Sequence, residues 1–321
     1  MARNGTPRVL VARAFPAPVI ERLDSLFDIE IRDTRDVMSE AEMRSALALY
    51  DGVMTSLGDT FNADIFSEFG RPRCKILANF GVGYNHIDVK AANEHGVVVT
   101  NTPDTVTNAT ADIGLTLLLM SARRAGEGER LVRSKQWEGW HPTQKMGLHV
   151  TGKTVGIVGM GRIGQAVARR CHFGFEMDVI YANRSEKSMD FPATQVSLSE
   201  LAERADFVVA TVPGGAETRH MINKAFFDQM QNHAHFINIS RGDVVDEAAL
   251  IEALQAETIG GAGLDVYENE PFVPDALMKL DSTVLLPHIG TAAYEVRTAM
   301  GMMAVDNLVA FFDGKTPPNA V

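Results

Sequence analysis

Val155-Gly156-Ile157-Val158-Gly159-Met160-Gly161-Arg162-Ile163-Gly164 runs directly into Gln165-Ala166-Val167-Ala168-Arg169-Arg170. The first four residues are an apolar run that predicts a buried strand, and the residues after Gly164 predict a helix. A bare Gly-x-Gly-x-x-Gly carries little weight, but a strand before it and a helix after it are the context its mechanism needs. Gly159 permits the tight turn, Gly161 lets a pyrophosphate approach the backbone, and Gly164 lets helix and strand pack closely. The first amides of the helix, and its dipole, then face negative charge. The stretch predicts a dinucleotide-binding α/β domain; a glycine-rich turn without a ligand is the bland alternative.

The next strand ends in Val179-Ile180-Tyr181-Ala182-Asn183-Arg184-Ser185. An NAD-binding unit usually carries an acid about 20 residues beyond the glycines to bind the adenosine ribose. Position 183 holds Asn, followed by Arg184. No carboxylate remains to repel a 2′-phosphate, and a guanidinium is available to bind one. NADP(H) is therefore the expected cofactor, with NAD(H) as the second option. A merely solvated Arg184 is the plain alternative.

Working outward, the first hundred residues alternate short apolar strands (8–12, 27–31, 52–55, 75–79, 97–100) with amphipathic helices (18–27, 39–49, 62–69, 89–95). Ser39 and Glu42 form a capping-box signature. A helix is predicted from about 107 to 134, broken by the Trp137–Pro142 stretch. A second alternating series follows, with strands at 155–158, 178–182, 207–211, 236–239, 261–265 and 284–286. The helical pattern over 291–312 is expected to cross back to the first domain. Alternation of this kind means parallel sheets covered on both faces. The expected fold is α/β with two doubly wound parallel-sheet domains: a flavodoxin-like substrate domain (1–101 with 290–321) and a Rossmann dinucleotide-binding domain (102–289).

The chain has 321 residues, 45% hydrophobic and 22% charged, which suits two globular domains and excludes a disordered or disulfide-stapled chain. Thirty basic against 41 acidic residues leave a net charge of −11, which argues against nucleic-acid or anionic-membrane partners. Cys74 and Cys171 read as reduced, buried thiols. Residues 1–7 lack a signal-peptide apolar region, so the cytoplasm is the expected compartment. His233 and His235 lie two apart, but no Cys/His cluster or HExxH supports a metal; they read as surface residues, and no metal is expected.

Three further segments lie at predicted carboxyl ends of strands, where open α/β sheets bind ligands. They are Asn238-Ile239-Ser240-Arg241-Gly242, Asp265-Val266-Tyr267-Glu268-Asn269-Glu270-Pro271 and Pro287-His288-Ile289-Gly290. Singly, each charge reads as an ordinary surface residue. Together with the glycine loop, Gly81-Val82-Gly83-Tyr84-Asn85-His86 and Asn101-Thr102-Pro103, they resemble the D-isomer-specific 2-hydroxy acid dehydrogenases over nearly the whole chain. Residues 121–128 with Trp137 and Trp140 resemble the glyoxylate/hydroxypyruvate reductase (D-glycerate dehydrogenase) branch.

The resemblance implies an NAD(P)H-dependent reduction of a short 2-keto acid, glyoxylate or hydroxypyruvate, to glycolate or D-glycerate. Arg241 would grip the carboxylate and polarise the carbonyl. His288 would donate the proton, and Glu270 would hold the other imidazole nitrogen so that the charged donor persists near neutrality. Backbone amides of Val82 and Gly83 would hold the carboxylate from the other domain. Thr110 would touch the cofactor phosphates and Asp265 the nicotinamide carboxamide. Arg162, Ile163 and Ser185 join the cofactor contacts, as do Val212, Pro213, Thr218, Ile239 and Gly290. The resemblance also implies a homodimer through the 107–134 helix and the arm through Trp140; a separate expectation is that this arm reaches toward the partner's substrate pocket. Competing readings are a dinucleotide-sensing, corepressor-like binding protein and a dehydrogenase of another 2-hydroxy acid.

Overall fold

Five apolar runs form strands β1 (Arg8–Val11), β2 (Asp28–Ile31), β3 (Gly52–Ser56), β4 (Ile76–Phe80) and β5 (Val98–Thr100) in the computed structural model, which describes residues 5–321. The signal-peptide reading of residues 1–7 thus falls mostly outside the described residues. The strands pair in parallel in the order β2-β1-β3-β4-β5, the flavodoxin-type order. Helices α1 (Ala17–Leu26), α2 (Glu40–Leu49), α3 (Ala63–Ser67) and α4 (Val89–Glu94) connect them. The predicted capping box starts α2: the Glu42 amide donates to Ser39 Oγ (3.3 Å), and the Ser39 amide donates to Glu42 Oε2 (2.8 Å). Strand alternation divides β1 between two cores. Val9 and Val11 pack with Val19 and Leu23, whereas Leu10 and Ala12 pack with Met43 and Leu47.

The second sheet contains β6 (Thr154–Val158), β7 (Asp178–Ala182), β8 (Thr194–Gln195), β9 (Phe207–Ala210), β10 (His235–Asn238), β11 (Gly261–Leu264) and β12 (Thr283–Leu285). All pairings are parallel, in the order β12-β11-β10-β9-β6-β7-β8. The two-residue β8 is too short to announce itself by alternation, and the sequence reading missed it. The helices of this part are α5 (Thr107–Ala122), α6 (Ala125–Arg133), α7 (Arg162–Phe175), α8 (Leu198–Arg204), α9 (Lys224–Phe227), α10 (Glu247–Gln255) and α11 (Asp275–Met278). The last helix, α12 (Tyr294–Phe312), packs on the first sheet. Its Ala304, Val305 and Leu308 share a core with Val9, Met54 and Ile76. By contact, Met1–Val106 with Ala292–Val321 form one unit and Thr107–Thr291 the other. Among the described residues no helix is long and apolar enough to cross a membrane. Cys74 and Cys171 are buried and unbridged.

Two expectations need correction. The helix predicted over 107–134 is two helices, because Arg124 adopts φ 52°. The Ala122 carbonyl, which continued helix would use for residue 126, is taken by the Leu148 amide at 2.8 Å. The second correction is His235, which is buried, not a surface residue. Its ring stacks on Phe207 and Nδ1 lies 2.7 Å from Ser121 Oγ. Gly261 on the neighbouring strand leaves the room: a Cβ there would sit 2.8 Å from that nitrogen.

Burial, with a smaller contribution from the charge on His233, lowers His235 from its ordinary 6.5 to about 4. Between those values the unfolded chain binds a proton that the folded one refuses, so stability falls as pH drops through this window. The expected loss from pH 7 to pH 4 is about 3 kcal/mol from this residue. Urea midpoints of the parent and His235→Phe across that range check it. A variant slope as steep as the parent's would remove His235 as the cause.

Candidate active site

The three charged segments singled out in the sequence meet at the carboxyl ends of β10, β11 and β12. Arg241 follows β10 in extended backbone, and its Nη1 donates to the Ser240 carbonyl at 2.7 Å. Burial lowers the guanidinium below its ordinary value, while the nearby Glu270 and Asp243 carboxylates oppose that. Gly214 makes this packing feasible, because a Cβ there would lie 2.8 Å from Arg241 Cγ and 2.6 Å from Asp243 Oδ1. Asp243 Oδ2 in turn accepts from the Gly215 amide at 3.0 Å.

His288 sits beyond β12 with its Nδ1 2.7 Å from Glu270 Oε2. The other oxygen of Glu270 accepts from the Tyr267 amide at 3.0 Å. Burial pushes the Glu270 carboxyl up, but the His288 hydrogen bond and charge, the Tyr267 amide and Arg241 together bring it below its ordinary value. It is therefore a carboxylate at neutral pH. His288 adopts φ 52°, a left-handed conformation uncommon outside Gly, Asn and Asp. Asp265 holds that turn: its two oxygens accept from the Ile289 and Gly290 amides, both at 2.7 Å. Burial raises the Asp265 carboxyl, which the two amides and His288 oppose. Both Asp265 oxygens thus serve the His288 loop, a role the sequence did not disclose. Thr110 lies beside this loop, about 3.5 Å from where a Cβ on Gly290 would be.

At the glycine loop, Gly159 has φ 96°, and a Cβ there would meet Val212 Cγ1 at 2.7 Å. A Cβ on Gly164 would lie 2.3 Å from the Gly159 carbonyl oxygen, so the helix–strand approach also requires glycine. A Cβ on Gly161, by contrast, meets nothing within 4 Å. Gly161 caps α7 without any side-chain bond, so no cap side chain covers the helix N-terminus. That is the cradle a pyrophosphate needs. Thr218 Oγ1 donates to the Pro213 carbonyl at 2.6 Å and shapes the loop after β9. Ile239 packs against Gly114 of α5.

At the end of β7, Asn183 is structural as well as neutral. Its Oδ1 accepts from the Met160 amide at 3.2 Å, and its Nδ2 donates to the Ser185 carbonyl at 2.7 Å. Arg184 has a partner that the sequence reading overlooked: its Nη1 lies 3.0 Å from Glu217 Oε2. Both side chains are more than four-fifths exposed, at 87% and 83%, so the pair is weak and exchangeable. No pattern links a loop Glu to an Arg 33 residues away.

In the other unit, the loop after β4 carries Val82 and Gly83. Among the described residues neither amide donates to a protein acceptor.

Residues 115–290 match the model of the D-isomer specific 2-hydroxyacid dehydrogenase, NAD binding domain. The chain is 42% identical over 322 residues to a glyoxylate reductase of Thermococcus onnurineus, covering 98% of this chain and 96% of the relative. The chain belongs to the D-isomer specific 2-hydroxyacid dehydrogenase family. A glyoxylate reductase of Thermococcus kodakarensis is 43% identical over 98% of this chain and 96% of its own. An NADPH-dependent glyoxylate/hydroxypyruvate reductase from Sinorhizobium meliloti, in complex with NADP and malonate, superposes with TM-score 0.85 at 37% identity. That match covers 99% of this chain and 97% of the other. This dehydrogenase is thus an NAD(P)-dependent oxidoreductase, and Arg241, Glu270 and His288 occupy strand ends of its nucleotide-binding unit.

Proposed function

We propose that this dehydrogenase reduces glyoxylate or hydroxypyruvate to glycolate or D-glycerate, with NADPH preferred. The observation that carries the reading is the His288–Glu270 pair beside Arg241, at the same carboxyl edge of one sheet as a glycine loop that fits a dinucleotide. A nicotinamide dinucleotide held at the Gly159–Gly164 loop would supply the hydride taken up by the keto carbon. Arg241, relieved by substrate of part of its desolvation, pairs with the carboxylate through its planar donor fork. Glu270 accepts a hydrogen bond from the Nδ1–H of the protonated ring, and the opposite nitrogen, Nε2, passes its proton to the carbonyl oxygen as charge develops there, leaving the ring neutral. In reverse the same nitrogen accepts the hydroxyl proton. In the other unit, the Val82 and Gly83 amides are the anion-binding groups of this reading.

The test is a panel of 2-keto acids run with NADPH and with NADH. Glyoxylate and hydroxypyruvate are expected to lead, and D-glycerate to be oxidised in reverse. Tight cofactor binding without turnover of any acid would instead favour a dinucleotide-sensing protein.

The reading includes a homodimer in the cytoplasm. Supporting it, Trp137 and Trp140 are 54% and 80% exposed on a segment without helix or strand. Buried Glu127 anchors this segment by pairing with both Arg124 and Lys145. Large exposed aromatics held in place suit an interface. Light scattering at micromolar concentration is expected to give twice the 35.0 kDa chain mass, and Trp140→Ala to shift the species toward monomer. A monomeric parent would end the idea.

A further inference from the structure

In the loop after β4, three successive carbonyls are each claimed by a fixed donor. The Gly81 carbonyl accepts from the Thr102 amide (2.9 Å) and from Asn79 Nδ2 (3.2 Å). The Val82 carbonyl accepts from Asn101 Nδ2 at 2.9 Å, and the Gly83 carbonyl from Asn79 Nδ2 at 3.1 Å. In a trans peptide the N–H leaves opposite to the preceding C=O. Tying down the carbonyl of 81 therefore aims the Val82 amide, and tying down that of 82 aims the Gly83 amide. Both are the amides that lack a protein acceptor among the described residues.

The two asparagines are themselves held. Asn79 is 1% exposed, and its Oδ1 lies 3.1 Å from His86 Nε2, which sets the amide so that Nδ2 faces the loop. The Asn101 carbonyl accepts from Asn307 Nδ2 at 3.3 Å, and its amide donates to the Asn319 carbonyl at 3.1 Å. Asn307, fully buried in α12, also accepts from the Asn319 amide at 3.1 Å. The returning C-terminal segment thus braces the residue that orients the Gly83 amide.

We infer that Asn79 and Asn101 are positioning residues for substrate, aiming the Val82 and Gly83 amides at the carboxylate of a 2-keto acid. This rests on the proposed reading of those amides as anion-binding groups. Preorganised donors cost nothing to orient when the anion arrives, whereas a freely turning peptide must be ordered first.

The experiment compares Asn101→Ala, Asn79→Ala and Val82→Pro with the parent, all as full chains. Val82→Pro removes one of the two amide donors directly. The readouts are KM for glyoxylate, the inhibition constant of oxalate, kcat, the NADPH dissociation constant and Tm. In both asparagine variants KM and the oxalate constant are expected to rise together by about tenfold, since each weakens a bond to a charged group. kcat and NADPH affinity are expected to stay at the parent values. If Val82→Pro raises KM and neither asparagine variant does, positioning is overturned while the amide reading stands. If none of the three changes KM or the oxalate constant, the amide reading fails and the inference with it. Loss of kcat, NADPH affinity and Tm in step with KM would mean a purely structural role and would also overturn it.

Discussion

His288→Asn is expected to lose turnover by roughly 10²–10⁴-fold, the usual contribution of a general acid. NADPH affinity is expected to be unchanged, because the glycine loop lies on other strands of the sheet. Asn is the suitable replacement: position 288 has φ 52°, and Asn tolerates the left-handed region better than most residues. Its amide can still donate to Glu270 but cannot deliver a proton. Glu270→Gln is expected to be milder in rate. It keeps an acceptor 2.7 Å from Nδ1 but replaces the carboxylate by a neutral amide, so turnover is expected to fall by about tenfold. Stopped-flow turnover checks both variants. Near-normal turnover of His288→Asn would remove it from the mechanism, and parent turnover in Glu270→Gln would make Glu270 structural.

The second large effect is on cofactor choice. On the proposed reading, a 2′-phosphate held by Arg184 displaces Glu217, an exposed partner worth about 0.2–1 kcal/mol. A charge-assisted bond to the 2′-phosphate contributes about 1.5–3 kcal/mol. NADPH is therefore expected to be preferred by about tenfold, less than a free guanidinium would give. Asn183→Asp with Arg184→Ala is expected to reverse the preference, since the new carboxylate accepts from the ribose hydroxyls and repels the phosphate. Glu217→Gln is expected to strengthen the NADPH preference a few-fold. The measurement is the ratio of kcat/KM for the two cofactors. A parent that already prefers NADH would show that Arg184 does not bind the phosphate.

The chemistry-bearing residues were legible because they lie in short, local patterns. A strand, three glycines and a helix read the same in sequence and in space, since turn geometry is set by neighbours. Ser39 and Glu42 capped α2 for the same reason. The break at Arg124 was not legible, because the competitor for the Ala122 carbonyl comes from Leu148. His235 was misread because its burial depends on Phe207, Ser121 and the missing side chain at Gly261, all distant in sequence.

Local pattern thus determined which groups are present: a guanidinium, an imidazole, two carboxylates and a glycine cradle, each at the end of a predicted strand. Tertiary structure decided how they are held. Asp265 spends both oxygens on the turn that carries His288, Glu217 pairs loosely with Arg184, and asparagines from β4, the end of β5 and α12 orient a loop of three peptides. Those pairings form only when the sheet registers bring remote strand ends together. A hydrogen bond depends on distance and angle in space, and the order of residues along a chain does not encode these beyond a few positions.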